Sequence, residues 1–109
     1  MAKDLEISRL CDAYGALLTD NMLRTVREYY DYDLSLAEIG EECGVTRQAV
    51  LSRLQQAEKK LREYEQAIGI VQKTDKVISR LQTVADGIPD GQAKTALDSV
   101  ITDLKEWRY

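Results

Sequence analysis

Residues 34–54 read LSLAEIGEECGVTRQAVLSRL, and this stretch decides the fold. Ser35, followed three residues later by Glu38, matches the capping box that begins a helix, here one of about residues 36–43. Gly44 is the residue type that ends a helix in the left-handed conformation, and Thr46 is a preferred cap for a following helix. The sequence therefore predicts two helices joined by a sharp turn.

The residue types inside this stretch suit a tight crossing of the two helices. Gly40 is small enough to let the second helix pass close to the first, and Gly44 makes the turn. Four apolar side chains are expected to fill the angle between the helices: Ile39, Cys43, Val45 and Val50. The pattern predicts a helix-turn-helix over residues 34–54.

The composition of the whole chain favours an all-α protein. Its 109 residues are 44% apolar and 31% charged, which is typical of a globular domain of this size. A single Pro and six Gly leave long runs of helix-forming residues, and no apolar run is long enough to span a membrane. The N-terminal residues are acidic and lack the apolar segment of a signal peptide, so we expect the protein to be cytoplasmic.

Two residue types that serve often in catalysis and metal binding, His and Cys, are absent or few. The chain has no His, which removes the commonest general base and the commonest metal ligand. Its two cysteines, Cys11 and Cys43, are far apart and form no CxxC pair, so we expect both to be buried apolar side chains. The sequence predicts no catalytic residue, no metal site and no cofactor, and a protein that is not an enzyme.

Apolar side chains at steps of three and four residues predict the other helices. The expected ranges are residues 3–18, 20–31, 47–68, 70–86 and 92–107. Leu5 and Leu17 are expected to face inward on the first of these helices, and Thr19 is expected to cap the second. On the last helix the expected inward side chains are Ala93, Leu97, Val100, Leu104 and Trp107. We expect a helix-turn-helix domain at residues 1–69 and a helical hairpin at residues 70–109 that packs on or extends the long fourth helix.

The long fourth helix carries a line of apolar side chains at heptad spacing: Val50, Leu54, Ala57, Leu61, Tyr64 and Ile68. Such a seam requires another helix beside it. Two interpretations remain at this point. Either the chain packs its own hairpin on the seam, or two chains share the seam and the protein is a homodimer, which would suit paired DNA half-sites.

The start of the fourth helix supplies the candidate DNA contacts. The residues expected to face the major groove are Thr46, Arg47, Gln48, Leu51 and Ser52. Arg47 has the donors to read guanine, and Gln48 has the amide to read adenine. The side chains expected to reach phosphates are Arg53, Lys59 and Lys60.

The charge of the chain supports a competing interpretation, in which this face is only the solvated side of a helical corner. The chain has a net charge of −4, and Glu38, Glu41 and Glu42 lie on the helix that would cross a DNA backbone. Residues 46–65 carry five basic and three acidic side chains, a net charge of only +2. Any DNA binding is therefore expected to be weak and strongly dependent on salt. Tyr29 and Tyr30 fit core packing better than base stacking.

Residues 34–50 resemble the helix-turn-helix of the bacterial YlxM family, which is itself similar to the promoter-reading region four of sigma factors. Two other segments fit the same family, residues 58–65 and the stretch from Leu17 to Tyr30, so the resemblance covers about residues 5–70. The hairpin resembles the family only in being helical and of similar length. The basic residues that crowd this helix in sigma factors are fewer here, so the protein is not expected to be a sigma factor.

The resemblance implies a function that composition and spacing do not address. It implies a small cytoplasmic protein encoded beside the genes of the signal recognition particle, acting in or regulating that protein-targeting pathway. The sigma-like motif implies DNA contact at the positions of Arg47, Gln48 and Ser52. A second hypothesis is a helical adaptor that binds components of the particle through protein or ribonucleoprotein contacts and keeps the motif as a scaffold.

Overall fold

Six α-helices account for most of the part of the chain that the computed structural model describes, residues 4–106. They are α1 (Leu5–Tyr14), α2 (Asp20–Tyr30), α3 (Leu36–Cys43), α4 (Arg47–Ile68), α5 (Ile70–Asp86) and α6 (Gln92–Glu106). No strand occurs within those residues. The predicted all-α fold and the order of its helices are confirmed.

The first helix is shorter than its apolar pattern predicts. Asp4 caps α1 by accepting the N–H of Glu6 at 2.9 Å, but the helix ends at Tyr14 and a 3-10 turn follows at Gly15–Leu17. Gly15 is buried, and a Cβ there would lie 2.9 Å from Leu23 Cδ1 of α2. The chain therefore turns at Gly15, where it packs tightly against Leu23 of α2, and a single helix over residues 3–18 was a wrong prediction.

Two apolar side chains of this region do not reach the core. Leu5 and Leu17 are 76% and 57% exposed, whereas Ile7, Leu10 and Cys11 are buried. Leu5 lies in the first turn of α1, and Leu17 is carried outward by the 3-10 turn. The expectation that both face inward is corrected.

Side-chain caps and ion pairs fix α2 against α1. Thr19 caps α2 as predicted, accepting the N–H of Met22 at 3.2 Å. Arg27 of α2 donates to Asp12 of α1 at 2.9 Å and to Asp31 at 2.8 Å, so one guanidinium bridges two helices. Because these side chains are partly buried, their ion pairs contribute more to stability than exposed ion pairs do.

The described residues fall into two compact units, one ending at Ile68 and the other beginning at Gly69. In the first unit α4 contacts each of the three preceding helices. These contacts bury four successive seam residues almost completely: Val50, Leu54, Ala57 and Leu61. Helices of the same unit thus cover this part of the seam, a possibility that neither sequence interpretation contained. Farther along, Tyr64 is half-buried and Ile68 is exposed.

The second unit is an antiparallel pair of helices, α5 and α6, joined by a turn at residues 87–91. Its interior contains Ala85 and Ile101, with Leu81 and Leu97 half-buried. The side chains that face the interior on α6 therefore differ from those predicted. Ile101 occupies the interior, while Ala93 and Val100 are exposed. Trp107, the last predicted member, lies outside the described residues.

Candidate nucleic-acid interface

The turn between α3 and α4 depends on two glycines. Gly44 has a φ of 71° and donates its N–H to the carbonyl oxygen of Gly40, as a left-handed cap does. Val45 N–H also donates to Gly40, at 3.0 Å. A Cβ on Gly40 would lie 2.7 Å from the Val45 carbonyl oxygen, closer than a side chain tolerates. The close crossing predicted for Gly40 is confirmed.

Side-chain caps fix the starts of both helices. Ser35 Oγ accepts the N–H of Glu38 at 3.1 Å, and Glu38 Oε1 accepts the N–H of Ser35 at 3.1 Å, which is the predicted capping box. Thr46 Oγ1 accepts the N–H of Ala49 at 3.0 Å and caps α4. Because both caps are local, the direction of α4 out of the turn is set by residues within the motif.

Two side chains assigned to the angle between the helices lie elsewhere. Val45 is 37% exposed, and Cys43 is half-buried, whereas Ile39 and Val50 are fully buried as predicted. The expectations that Val45 packs inward and that Cys43 is buried are corrected; Cys11 is buried.

The residues predicted to face the major groove lie in the first two turns of α4. Thr46, Arg47, Gln48 and Ser52 are exposed, and Leu51 is half-buried. Thr46 accepts the helix-cap hydrogen bond with its hydroxyl oxygen, and its O–H remains able to donate to a ligand. Within residues 4–106, Arg47 makes no ion pair with another side chain. Its guanidinium is available to a ligand.

The residues predicted to reach phosphates are spread over a longer part of α4. Arg53 is half-buried, and Lys59 and Lys60 are exposed. Lys59 Nζ lies 4.0 Å from Glu63 Oε1, one turn on, so part of its charge is balanced. Arg47 and Lys60 are about 20 Å apart along the axis at the helical rise per residue. Lys59 and Lys60 could therefore contact only DNA phosphates that lie far from the bases near Arg47.

Helical geometry separates the seven candidates within α4 into a central face and two flanks. Gln48, Ser52 and Lys59 lie opposite the buried line of α4, because they are about half a turn from Val50 and Leu61. One flank contains Arg47 and Leu51. The other contains Arg53 and Lys60. The candidates thus form a strip with Gln48, Ser52 and Lys59 in the centre and an arginine at each edge.

A groove that the sequence analysis missed lies beside Arg47. It has a volume of about 370 Å³ and is lined by Tyr29, Asp33, Leu34, Ser35, Leu36, Ala37, Glu38 and Arg47. Asp33 adopts a φ of 59°, which is uncommon for a residue other than Gly. The only sequence signal for this shape is Asp33, a residue type that tolerates the left-handed conformation better than most.

The acidic residues of α3 are partly balanced. Glu38 is engaged in the capping box, and Arg24 Nη2 lies 4.0 Å from Glu42 Oε2. Arg24 also donates to Glu28 at 2.7 Å, and that hydrogen bond raises the pKa of its guanidinium. Glu41 is exposed. The repulsion of phosphate expected from three carboxylates is therefore reduced at Glu42, by a residue of α2, and remains at Glu38 and Glu41.

The tyrosines of α2 have structural contacts. Tyr29 and Tyr30 are half-buried with ring centroids 5.0 Å apart in an edge-to-face arrangement, and the Tyr30 hydroxyl donates to Glu58 of α4. Burial raises the pKa of the Tyr30 phenol well above its usual value, and the hydrogen bond to Glu58 raises it further. The interpretation of these two tyrosines as packing residues agrees with this geometry. Tyr32 is exposed.

Two other features, a membrane-spanning helix and a metal site, can be assessed in the described residues. None of the helices in residues 4–106 is both long and apolar enough to cross a membrane. In the same residues, no three side chains among His, Cys, Asp and Glu are grouped so that they could hold a metal ion.

Comparison with known proteins identifies the family. Residues 1–100 match the family UPF0122, described as "Putative helix-turn-helix protein, YlxM / p13 like". The chain is 40% identical over 104 residues to a UPF0122 protein of Desulforamulus reducens, covering 93% of this chain and 89% of the relative. It is 40% identical over 99 residues to one of Symbiobacterium thermophilum, covering 87% and 92%. It is 36% identical over 104 residues to one of Shouchella clausii, covering 95% of each. The chain therefore belongs to the YlxM/p13-like helix-turn-helix family UPF0122.

Proposed function

We propose that the first two turns of α4 bind double-stranded DNA in the major groove and that the protein is a regulator acting in the cytoplasm. The observation that carries this proposal is the exposure of Arg47, Gln48 and Ser52 directly after the tight turn. In helix-turn-helix proteins, this part of the second helix contacts the edges of bases. Because caps fix the starts of both helices, these three side chains project from a rigid element.

Each exposed group has a partner on DNA that suits its chemistry. Arg47 offers paired N–H donors to guanine, Gln48 offers an amide to adenine, and Ser52 offers a hydroxyl to either. We assign the exposed part of Leu51 to a thymine methyl group. Thr46 contributes an O–H donor to a nearby phosphate. We assign Arg53, Lys59 and Lys60 to the flanking phosphates.

The charge of the chain sets the strength of the proposed binding. A net charge of −4 and the exposed Glu41 oppose a polyanion, whereas residues 46–65 carry only +2. With three phosphate contacts from Arg53, Lys59 and Lys60, the slope of log affinity against log salt is about −3. Binding should thus be measurable at low salt and lost at moderate salt.

Fluorescence anisotropy with a labelled duplex from upstream of the protein's own gene tests the proposal. Arg47→Ala should lower the affinity at least tenfold, a loss expected for one bidentate base contact. Arg62→Ala is the matched control, because Arg62 is an arginine of the same helix that pairs with Asp4 at 3.2 Å. Absence of binding by the wild-type protein at low salt would exclude DNA binding to this duplex. An equal loss in both variants would exclude the assigned surface.

Family resemblance supplies a pathway for this regulator, and we propose the signal recognition particle pathway. A second candidate function in the same pathway is that of an adaptor without DNA binding. The exposed Glu41 on α3 and the acidic groove wall formed by Asp33 and Glu38 favour it, because such surfaces suit basic protein partners better than phosphate. Pull-down with the GTPase of the particle and with its receptor is the test. Retention of neither protein would exclude the adaptor.

A further inference from the structure

One side of the α5–α6 hairpin exposes three valines. Val77 and Val100 are each 49% exposed, and Val84 is 55% exposed. Each stands one residue before a side chain that is buried or half-buried in the second unit, namely Ile78, Ala85 and Ile101. Val77 and Val84 are seven residues apart and hence lie on one line along α5. The exposed valines of α5 therefore form a line rather than isolated positions.

Helical geometry puts all three valines on the same side of the hairpin. In each helix, the residue one position before an interior residue lies to one side of the line of interior residues. Because α5 and α6 are antiparallel, this side is the same side of the hairpin for both helices. Lys94, Asp98 and Lys105 of α6 lie toward the other side. The hairpin therefore has one apolar face, defined by Val77, Val84 and Val100, and one polar face.

The pairing of α5 with α6 sets the relative heights of these side chains. A groove of about 180 Å³ is lined by Lys73, Thr74 and Val77 of α5 and by Leu104 of α6. Leu104 is thus level with Thr74, and counting along the two helices puts Val100 close to the level of Val77. The two valines stand nearly opposite each other on the apolar face.

The two edges of the apolar face carry opposite charges. Lys73 and Arg80 follow the outer edge on α5, next to the line of Val77 and Val84. Asp103 lies at the outer edge on α6, one turn after Val100. A face with basic side chains at the edge of one helix and an acidic side chain at the edge of the other is complementary to itself after a two-fold rotation.

We propose that the apolar face of the hairpin binds the same face of a second copy of this chain and forms an antiparallel four-helix bundle. The two-fold axis is parallel to the helices, so α5 of one chain packs against α6 of the other. Val77 then meets Val100 of the partner subunit, and Lys73 approaches Asp103 of the partner subunit. Each contact occurs twice. This assembly uses the hairpin alone and does not depend on DNA binding.

The self-complementary edges favour a second copy over a different protein. Two helices bury few side chains between them, and four-helix bundles solve this by packing two such pairs around a shared core. A dimer through this face also differs from one that shares the seam of α4, because the first four seam residues are already buried within one chain.

Sedimentation equilibrium of the full chain over a wide concentration range tests the proposal. The wild-type protein should be a dimer that dissociates on dilution. Val100→Glu should raise the dissociation constant at least tenfold, because two carboxylates would enter the shared core, and its helical circular dichroism should match that of wild type. A wild-type monomer at every concentration overturns the proposal, as does a folded Val100→Glu protein that dimerises like wild type.

A charge exchange tests the orientation without altering the apolar core. Asp103→Lys should weaken the dimer, and the double change Lys73→Asp with Asp103→Lys should restore it, because the opposite charges meet again. Asp98→Lys makes the same change of charge on the polar face and is the matched control. If the double variant is as weak as Asp103→Lys, or if Asp98→Lys weakens the dimer equally, the proposed two-fold arrangement is wrong.

Discussion

Tyr30 shows how one side chain links two helices at the back of the motif. Its ring packs against Tyr29, and its hydroxyl donates to Glu58 in the middle of α4. Burial and the carboxylate of Glu58 both favour the neutral phenol, so the pKa of Tyr30 is raised in the folded protein. The contact therefore couples the stability of the fold to pH.

The direction of that coupling follows from the raised pKa. Below pH 10, the ordinary pKa of a phenol, Tyr30 is neutral in both states and its contribution to stability is complete. Above about pH 10 the unfolded chain ionises first, so the contribution falls as the pH rises. We expect wild type to be more stable than Tyr30→Phe at pH 8, and the difference to shrink by pH 11.

Thermal unfolding followed by circular dichroism at the two pH values measures this difference. Tyr32→Phe is the control, because it removes a phenol that is exposed. A difference between wild type and Tyr30→Phe that stays constant or grows from pH 8 to pH 11 would contradict the assignment.

At the scale of elements, the turn between α3 and α4 is the tightest point of the first unit. Gly40 stands in α3 against the backbone of the turn, and Gly44 provides the left-handed residue. Exposed side chains of α4 begin immediately afterwards. Any change in the crossing of α3 and α4 therefore moves the candidate DNA surface.

Gly40→Ala tests this dependence. The added methyl would stand 2.7 Å from the Val45 carbonyl oxygen, a backbone atom that has little freedom to move. We expect a loss of about 1–3 kcal/mol in the free energy of unfolding, the usual cost of overpacking, measured by urea denaturation. In Gly87→Ala the nearest atom is 3.6 Å away, so that variant should be close to wild type. Equal stability of the Gly40→Ala protein would show that the turn tolerates a side chain.

Local signals explain which elements were predictable. The caps at Thr19, Ser35 and Thr46 and the turn at Gly44 depend on residues within four positions, so the sequence alone identified the helix-turn-helix. The displacement from Val100 to Ile101 depends on how α5 meets α6, which spacing along one helix does not report.

The candidate site divides in the same way. The exposure of Gln48 and Ser52 follows from their positions opposite a predicted seam, and that of Arg47 from its place in the first turn of α4. The pairing of Arg24 with Glu42 joins different helices, and the groove beside Arg47 is shaped by the path of the chain between α2 and α3. These features need the tertiary structure because no short-range pattern encodes them.

At the scale of the whole molecule, the first unit has an interior of its own. Leu61 near the end of α4 is fully buried, and Tyr14 of α1 donates to Glu65 at 2.5 Å. We expect residues 1–69 to fold as an independent domain, since α1, α2 and α3 cover four seam residues of α4.

A truncated protein of residues 1–69 tests that expectation. It should unfold cooperatively by circular dichroism, within about 10 °C of the corresponding transition of the full chain. Leu61→Glu in the same fragment should abolish folding, because it places a charge in a fully buried position. A fragment that is unfolded at low temperature would contradict the division of the chain at this point.

The central claim is that the start of α4 is the surface that meets DNA, and chemical-shift mapping tests it most directly. Full-length protein labelled with nitrogen-15 is titrated at low salt with the duplex from upstream of its gene. The account predicts that the largest amide shifts fall at residues 46–53 and disappear as salt is raised. Large shifts confined to other elements, or no shifts at saturating duplex, would contradict it.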